Sequence, residues 1–205
     1  MSLASLIKQG PAAFEEALAS KTRTNYFSMK DGESVTLRFL QELDPESEHA
    51  SKEAGTAILA TIVSPPTEEG WKYRYVAPEE LLSEVADWDF KTRLLVNVLV
   101  LKDAANDEWE VQFWDTSKAN ARQLLEFNNE DGSITDKMFK VRRSGSSTDT
   151  TYILMPKQSD GGISVDKYVE SMVQPEDYLT ELTKQAIERH TGPEDKSDTA
   201  AGDWT

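Results

Sequence analysis

The chain has 205 residues, no cysteine, and 22 Lys and Arg against 37 Asp and Glu, for a formal net charge of −15. Such a length fits one domain of about 150 residues with appendages, enough to bury a sizeable core. Without cysteine, a disulfide scaffold and a thiolate metal site are excluded, and a reducing cytoplasm fits. Taken as a total, the charge argues against nucleic-acid binding, which is driven by neutralising phosphates.

In chain order, residues 1–24 read as an N-terminal helix or arm. Pro11 suits the first turn, Phe14 and Leu18 are four apart, and Glu15 and Glu16 lie near the positive helix end. Met1-Ser2-Leu3 leads into no cationic start with a long apolar run, so no signal peptide is expected. The longest apolar runs suit strands rather than membrane spans, and a soluble protein is expected. The body, 25–157, is β-rich. Val35, Leu37 and Phe39 alternate with Thr36 and Arg38. Ala57 to Val63 is a second strand, ended by Pro65-Pro66, and Trp71 to Val76 a third. Pro78 to Trp88 looks helical. Leu94 to Leu101 is a continuous apolar run interrupted by Asn97, the pattern of a buried strand, and Lys102 to Asp107 turns it into Trp109–Trp114. Ser117 to Phe127 is an amphipathic helix.

The last elements of the body carry its distinctive chemistry. Phe139-Lys140-Val141-Arg142 alternates apolar and basic residues, a half-exposed strand. Ser144 to Thr148 is a turn, and Thr150 to Leu154 is the returning strand, stopped at Pro156. Residues 137–157 hold Lys137, Lys140, Arg142, Arg143 and Lys157 against Asp149 alone, a local +4; residues 158–205 hold 11 acids and 4 bases, a local −7. The acid is segregated, and a basic patch survives in an acidic chain. Residues 158–191 read as a linker and a helix over 175–190, with Pro175 at its first position and Glu176 and Asp177 in its first turn. Residues 192–205 have no apolar pattern that folds, and form a disordered acidic tail. The fold class is mainly β with peripheral helices: a small antiparallel barrel followed by that tail.

A groove for single-stranded nucleic acid needs cations along the backbone track and aromatics under the bases. Lys91, Arg93, Lys140, Arg142 and Arg143 are the best phosphate partners, with Arg38 on the first strand; the competing role for each is surface salt bridging. Trp71, Tyr73 and Tyr75 alternate with Lys72 and Arg74, and only one of those two faces can line a groove. Trp109, Val111 and Phe113 share a face and belong to the core. Trp114 points oppositely and is the stacking candidate, and Tyr152 lies on the returning strand. Along the basic strand, Phe139, Val141 and Arg143 take one side and Lys140 and Arg142 the other, facing outward, with Arg143 at the strand end. In the tail, Glu194, Asp195, Asp198 and Asp203 surround Lys196, and Trp204 stands near the terminus. The tail is either a plain solvated segment or a peptide ligand whose Trp204 fills an apolar pocket on a partner. The same acids can also lie over the protein's own basic groove.

Four segments resemble the tailed-phage single-stranded DNA-binding proteins, the helix-destabilising type related to that of T-even phages. They are Gly32 to Leu40, Leu95 to Ala104, Trp109 to Trp114 with the following helix, and Ile134 to Pro156, together most of residues 32–157. The resemblance implies an OB fold and sequence-tolerant binding of single-stranded DNA in replication and recombination. It implies an acidic tail that recruits a polymerase, helicase, primase or recombinase, possible self-association along DNA, and a place in the cytoplasm of the infected bacterium. The T-even members hold a structural zinc; with no Cys and only His49 and His190, no zinc site carries over, and the 41–70 region must be arranged differently.

No enzyme is expected. Two histidines leave little room for a His-based triad or metal site, and neither a Walker-type phosphate loop nor a dinucleotide fingerprint is present. Asp44, Glu46, Glu48 and His49 are read as a solvated loop rather than a divalent-cation site. No cofactor and no metal are expected. The rival to DNA binding is an acidic assembly or inhibitor protein that binds basic proteins and uses its barrel as a passive scaffold.

Overall fold

The computed structural model describes residues 24–64, 89–145, 150–157 and 162–191. Its centre is one antiparallel six-stranded sheet: β1 (Ser34–Phe39), β2 (Ile58–Ser64), β3 (Asp89–Asp103), β4 (Glu108–Ser117), β5 (Met138–Ser144) and β6 (Thr151–Pro156). The order is β2-β3-β1-β5-β6, with β4 on β3. β3 is the organising strand because it is long. Its first half pairs with β2 from Asp89 to Leu95, and its second half pairs with β1 from Val98 to Val100. β4 pairs with it from Arg93 to Asp103. Three partners surround one strand, which is why its apolar run is continuous rather than alternating.

The two faces of β3 feed separate clusters. Leu94, Val96, Val98 and Val100 pack with Leu37, Phe39, Trp114, Phe139 and Val141 in the main core. Leu95 and Leu99 point the other way. Leu99 meets Leu40, Ala54 and Met172, with Trp109, Val111 and Tyr168 packed around them. Leu95 meets Ala60 and Phe113, with Tyr178 and Leu179 over them. Trp109, Val111 and Phe113 do share a buried side, as the alternation indicates.

Residues 162–191 supply the cover of that second face. They form a 3-10 helix (Val165–Ser171) and α2 (Pro175–Thr191). The expected helix is present, but the stretch before it is no linker: Ile163, Val165, Tyr168, Val169 and Met172 all join the outer cluster. The folded body therefore runs past residue 157. The first helix, α1 (Lys118–Asp131), extends beyond the expected 117–127. Ser117 caps its start, and Gly132, at φ 80°, ends it in a left-handed turn whose N–H reaches the Asn128 carbonyl. Trp71 to Val76, Pro78 to Trp88, the 1–23 arm and the 192–205 tail lie outside the described residues.

A row of buried polar side chains at the end of β1 ties these layers together. Arg38 Nε donates to the Thr135 carbonyl at 2.8 Å, and its Nη1 donates to the Ile163 carbonyl. The Gln41 amide donates to the Ala54 carbonyl at 2.9 Å and accepts from both the backbone and the side chain of Asn97. Asn97 in turn exchanges hydrogen bonds with Val173, donating at 2.7 Å and accepting at 3.0 Å. The Glu42 carboxylate accepts from the Ser133 and Thr135 hydroxyls and from the Ile134 and Thr135 backbone N–H groups. This arrangement occupies the first part of the 41–70 region, where a zinc site could not be carried over.

Asn97→Leu preserves shape roughly but strips Val173 of both its partners. Two unpaired backbone groups cost about 2–4 kcal/mol. The urea midpoint of the variant is expected to fall accordingly, and an unchanged midpoint would show that water replaces the amide without loss.

Candidate nucleic-acid interface

The β1–β5–β6 portion of the sheet presents one covered and one open face. Register pairs Thr36 with Lys140 and Ser34 with Arg142 across β1 and β5. It pairs Lys140 with Met155 and Arg142 with Ile153 across β5 and β6. Opposed residues share a side. Val35, Leu37, Phe39, Phe139, Val141 and Leu154 therefore point into the main core. Lys140, Arg142, Ile153 and Met155 point outward and are exposed. Ile153 is 47% exposed and Met155 39%, so the surface between the cations is apolar. Lys157, just beyond β6, reaches across β5 to the Thr36 hydroxyl at 3.3 Å. No Asp or Glu occupies an outward position of these three strands. In a chain of charge −15, that makes a local cationic face.

The cations of this region divide by role. Lys140 and Arg142 face out, as the strand alternation indicates. Arg143 points the other way: it donates to the Met29 carbonyl and, at 3.2 Å, to the Thr150 hydroxyl, clasping the 24–31 segment to the hairpin. It is a positioning side chain rather than a phosphate partner. Lys137 is buried between Asp131 at 3.0 Å and Asp136 at 3.2 Å. Burial alone would lower its ammonium pKa, but the hydrogen bonds to the two carboxylates outweigh it and hold the group above its ordinary value.

Two further expected contacts are corrected. Arg38 is 7% exposed and spent on the Thr135 and Ile163 carbonyls, because β1 runs beneath the C-terminal segment at that point. Trp114 is 2% exposed and packs on Phe27 at 4.7 Å and Tyr152 at 5.3 Å between ring centroids. Its opposite direction to Phe113 is real, but both sides of β4 are covered, so no stacking platform results.

Arg93, Trp114 and Tyr152 converge elsewhere. They line a cleft of about 280 Å³ between β4, the start of α1 and β6. There Arg93 is held by Asp115, through Nε to the carboxylate at 2.5 Å and Nη2 to the carbonyl at 2.7 Å. Lys91 is exposed on the first half of β3, beside Phe90, away from β5 in the sheet order. Lys72, Tyr73, Arg74 and Tyr75, and the tail residues Glu194, Asp195, Asp198, Asp203 and Trp204, lie outside the described residues. The sequence counts Lys157 in the basic patch, but its reading missed Ile153 and Met155 as outward partners of the basic strand. Their signal was present in the period-2 alternation of 151–157. It also missed Phe27, Thr116, Asn120 and Thr150 around the cleft, which no local pattern marks.

Among the described residues no cluster of His, Asp and Glu suits a metal ion, and no described helix is long and apolar enough to cross a membrane. Searches of family models, curated proteins and solved structures find no match to this chain.

The division of the arginines is testable by stability. Arg38→Met leaves two carbonyls without their charged donor and is expected to cost about 2–4 kcal/mol. Arg142→Ala, on the open face, is expected to change stability by less than about 0.5 kcal/mol. Equal losses in urea denaturation would contradict the assignment of the two faces.

Proposed function

We propose that this protein binds single-stranded DNA with little sequence preference, through the outward face of β1, β5 and β6, and serves phage DNA replication and recombination by binding rather than by catalysis. The observation that carries the reading is the acid-free face itself. Lys140, Arg142 and Lys157 surround exposed Ile153 and Met155, in a chain whose excess charge is negative. Cations at this spacing track a phosphate backbone. Apolar side chains between them cover unstacked bases without reading their edges, which is tolerant of sequence. Duplex DNA hides its base faces, so the same surface favours single strands.

The long β3, its shared pairing with β1 and β2, and the β5–β6 hairpin on β1 support an OB-like barrel. Among the described residues no strand ladder joins β6 to β4, so closure rests on the packing of Phe27, Trp114 and Tyr152 between them. The resemblance to the phage helix-destabilising proteins over residues 32–157 supports the same reading. The tail then recruits replication or recombination proteins, with Trp204 as its anchor and Glu194, Asp195, Asp198 and Asp203 as the charges that meet a basic rim.

A gel-shift titration with oligo-dT of several tens of nucleotides tests the proposal. Affinity is expected to fall as salt rises, and Arg142→Ala is expected to flatten the log–log slope by about 0.7 as one phosphate contact is lost. No shift at low salt would refute DNA binding and favour an acidic scaffold for basic proteins. Separately, removing residues 192–205 takes away a covalently attached net charge of −3 that competes with DNA phosphates for the protein's cations. The truncated chain is expected to bind oligo-dT more tightly, by a margin that shrinks as salt screens the competition. Weaker binding would place the tail in the DNA site or the fold.

A further inference from the structure

We propose that the cleft between β4, the start of α1 and β6 receives one unstacked nucleobase of the bound strand, so that a single nucleotide is held inside the edge of the sheet while its neighbours cross the outer face. The inference rests on the single-stranded DNA reading and adds a distinct site to it. Size is the first argument. At about 280 Å³ the cleft lies just under the ~300–1,000 Å³ that accommodates drug-sized ligands, room for one heterocycle but not for a longer oligonucleotide.

Chemistry is the second argument. One wall is aromatic: Phe27, Trp114 and Tyr152 stand within 4.7–6.5 Å of one another, ring centroid to centroid, and Tyr152 is the half-buried member. The other wall is neutral and polar. The Asn120 amide donates to the Thr116 hydroxyl at 2.6 Å, which fixes its orientation, and Thr150, whose hydroxyl accepts from Arg143, also lines the cleft. At one end Arg93 is already neutralised by Asp115. The half-buried Tyr152 ring, backed by the buried Phe27 and Trp114 and facing hydroxyl and amide groups with no uncompensated charge, suits an uncharged planar ring with hydrogen-bonding edges. It does not suit a phosphate.

Placement is the third argument. Successive residues of β6 point to opposite sides. Tyr152 turns into the cleft, while Ile153 lies on the outer face opposite Arg142. The two sites are therefore the two sides of one strand, and among the described residues β6 pairs only with β5. A strand whose phosphates run along Lys140 and Arg142 meets the cleft by crossing that edge.

Photocrosslinking of the unaltered protein to oligo-dT carrying 4-thiothymidine at single positions tests this without any substitution. Crosslinks are expected at Tyr152, as resolved by fragment mass spectrometry, alongside those on the outer face. Thr150→Phe, which fills the cleft, is expected to weaken oligo-dT binding about tenfold, since stacking of one base is lost. The salt slope should be unchanged, because no phosphate contact is touched. Crosslinks confined to Ile153 and Met155, with unaltered affinity for Thr150→Phe, would overturn the cleft while leaving DNA binding intact. Thymidine alone perturbing the Thr116 and Asn120 amide signals, with no oligonucleotide crosslink at Tyr152, would make the cleft a free-nucleoside site and overturn the proposal equally. Failure of the unaltered protein to bind any oligonucleotide would overturn both readings.

Discussion

Thr135 is gripped from both sides by buried charge, and much of the architecture hangs on that grip. Its carbonyl accepts from the Arg38 guanidinium, while its N–H and hydroxyl donate to the Glu42 carboxylate. A buried cation and a buried anion thus compensate each other through one residue, each with several hydrogen bonds. That is the condition under which buried charge is tolerable in a low dielectric. The pair joins the end of β1 to the connection between α1 and β5, residues nearly a hundred positions apart. Through Ile163 it also reaches the C-terminal segment. Gln41 and Asn97 extend the row to β3 and to Val173. Apolar packing alone would allow these layers to slide. Directional hydrogen bonds at one end of β1 set a single arrangement.

That arrangement decides which cations are available to a ligand. Arg38 is consumed in the row, and Arg143 clasps the segment before β1. Lys137 is enclosed by Asp131 and Asp136. What remains outward on β5 is Lys140 and Arg142, joined by Lys157 from the end of β6. The +4 counted along residues 137–157 is thus divided: part builds the fold and part faces solvent. The division explains how an acidic protein keeps a usable cationic face. The structural cations lie among carboxylates and carbonyls, while the outward positions of β1, β5 and β6 hold no acid to neutralise the rest.

The covered face of β3 and β4 has the opposite character. Leu95, Leu99, Trp109, Val111 and Phe113 would form an extended exposed apolar surface without residues 163–179. The C-terminal segment is therefore a structural layer of the body, and the acidic tail is reached only beyond α2. On the proposed function the recruiting element follows α2 in the chain.

Local sequence pattern determined a good deal. Alternation, apolar runs, turns and caps located all six strands and both α-helices of the described residues to within about five positions, and alternation set the opposite directions of Arg142 and Arg143. It also put Trp109, Val111 and Phe113 on one side. Those are local facts, because side chains alternate along any strand whatever surrounds it. Whether a given side is covered is not local. Trp114 and Arg38 both point as alternation indicates, yet both are buried, because the layers over them come from residues far away in the chain. Asn97 was visible as a break in an apolar run, but its partners Gln41 and Val173 stand 56 and 76 positions away. Charge and alternation are written in neighbouring residues. Burial and polar pairing depend on which distant segment arrives, and only the tertiary structure settles that.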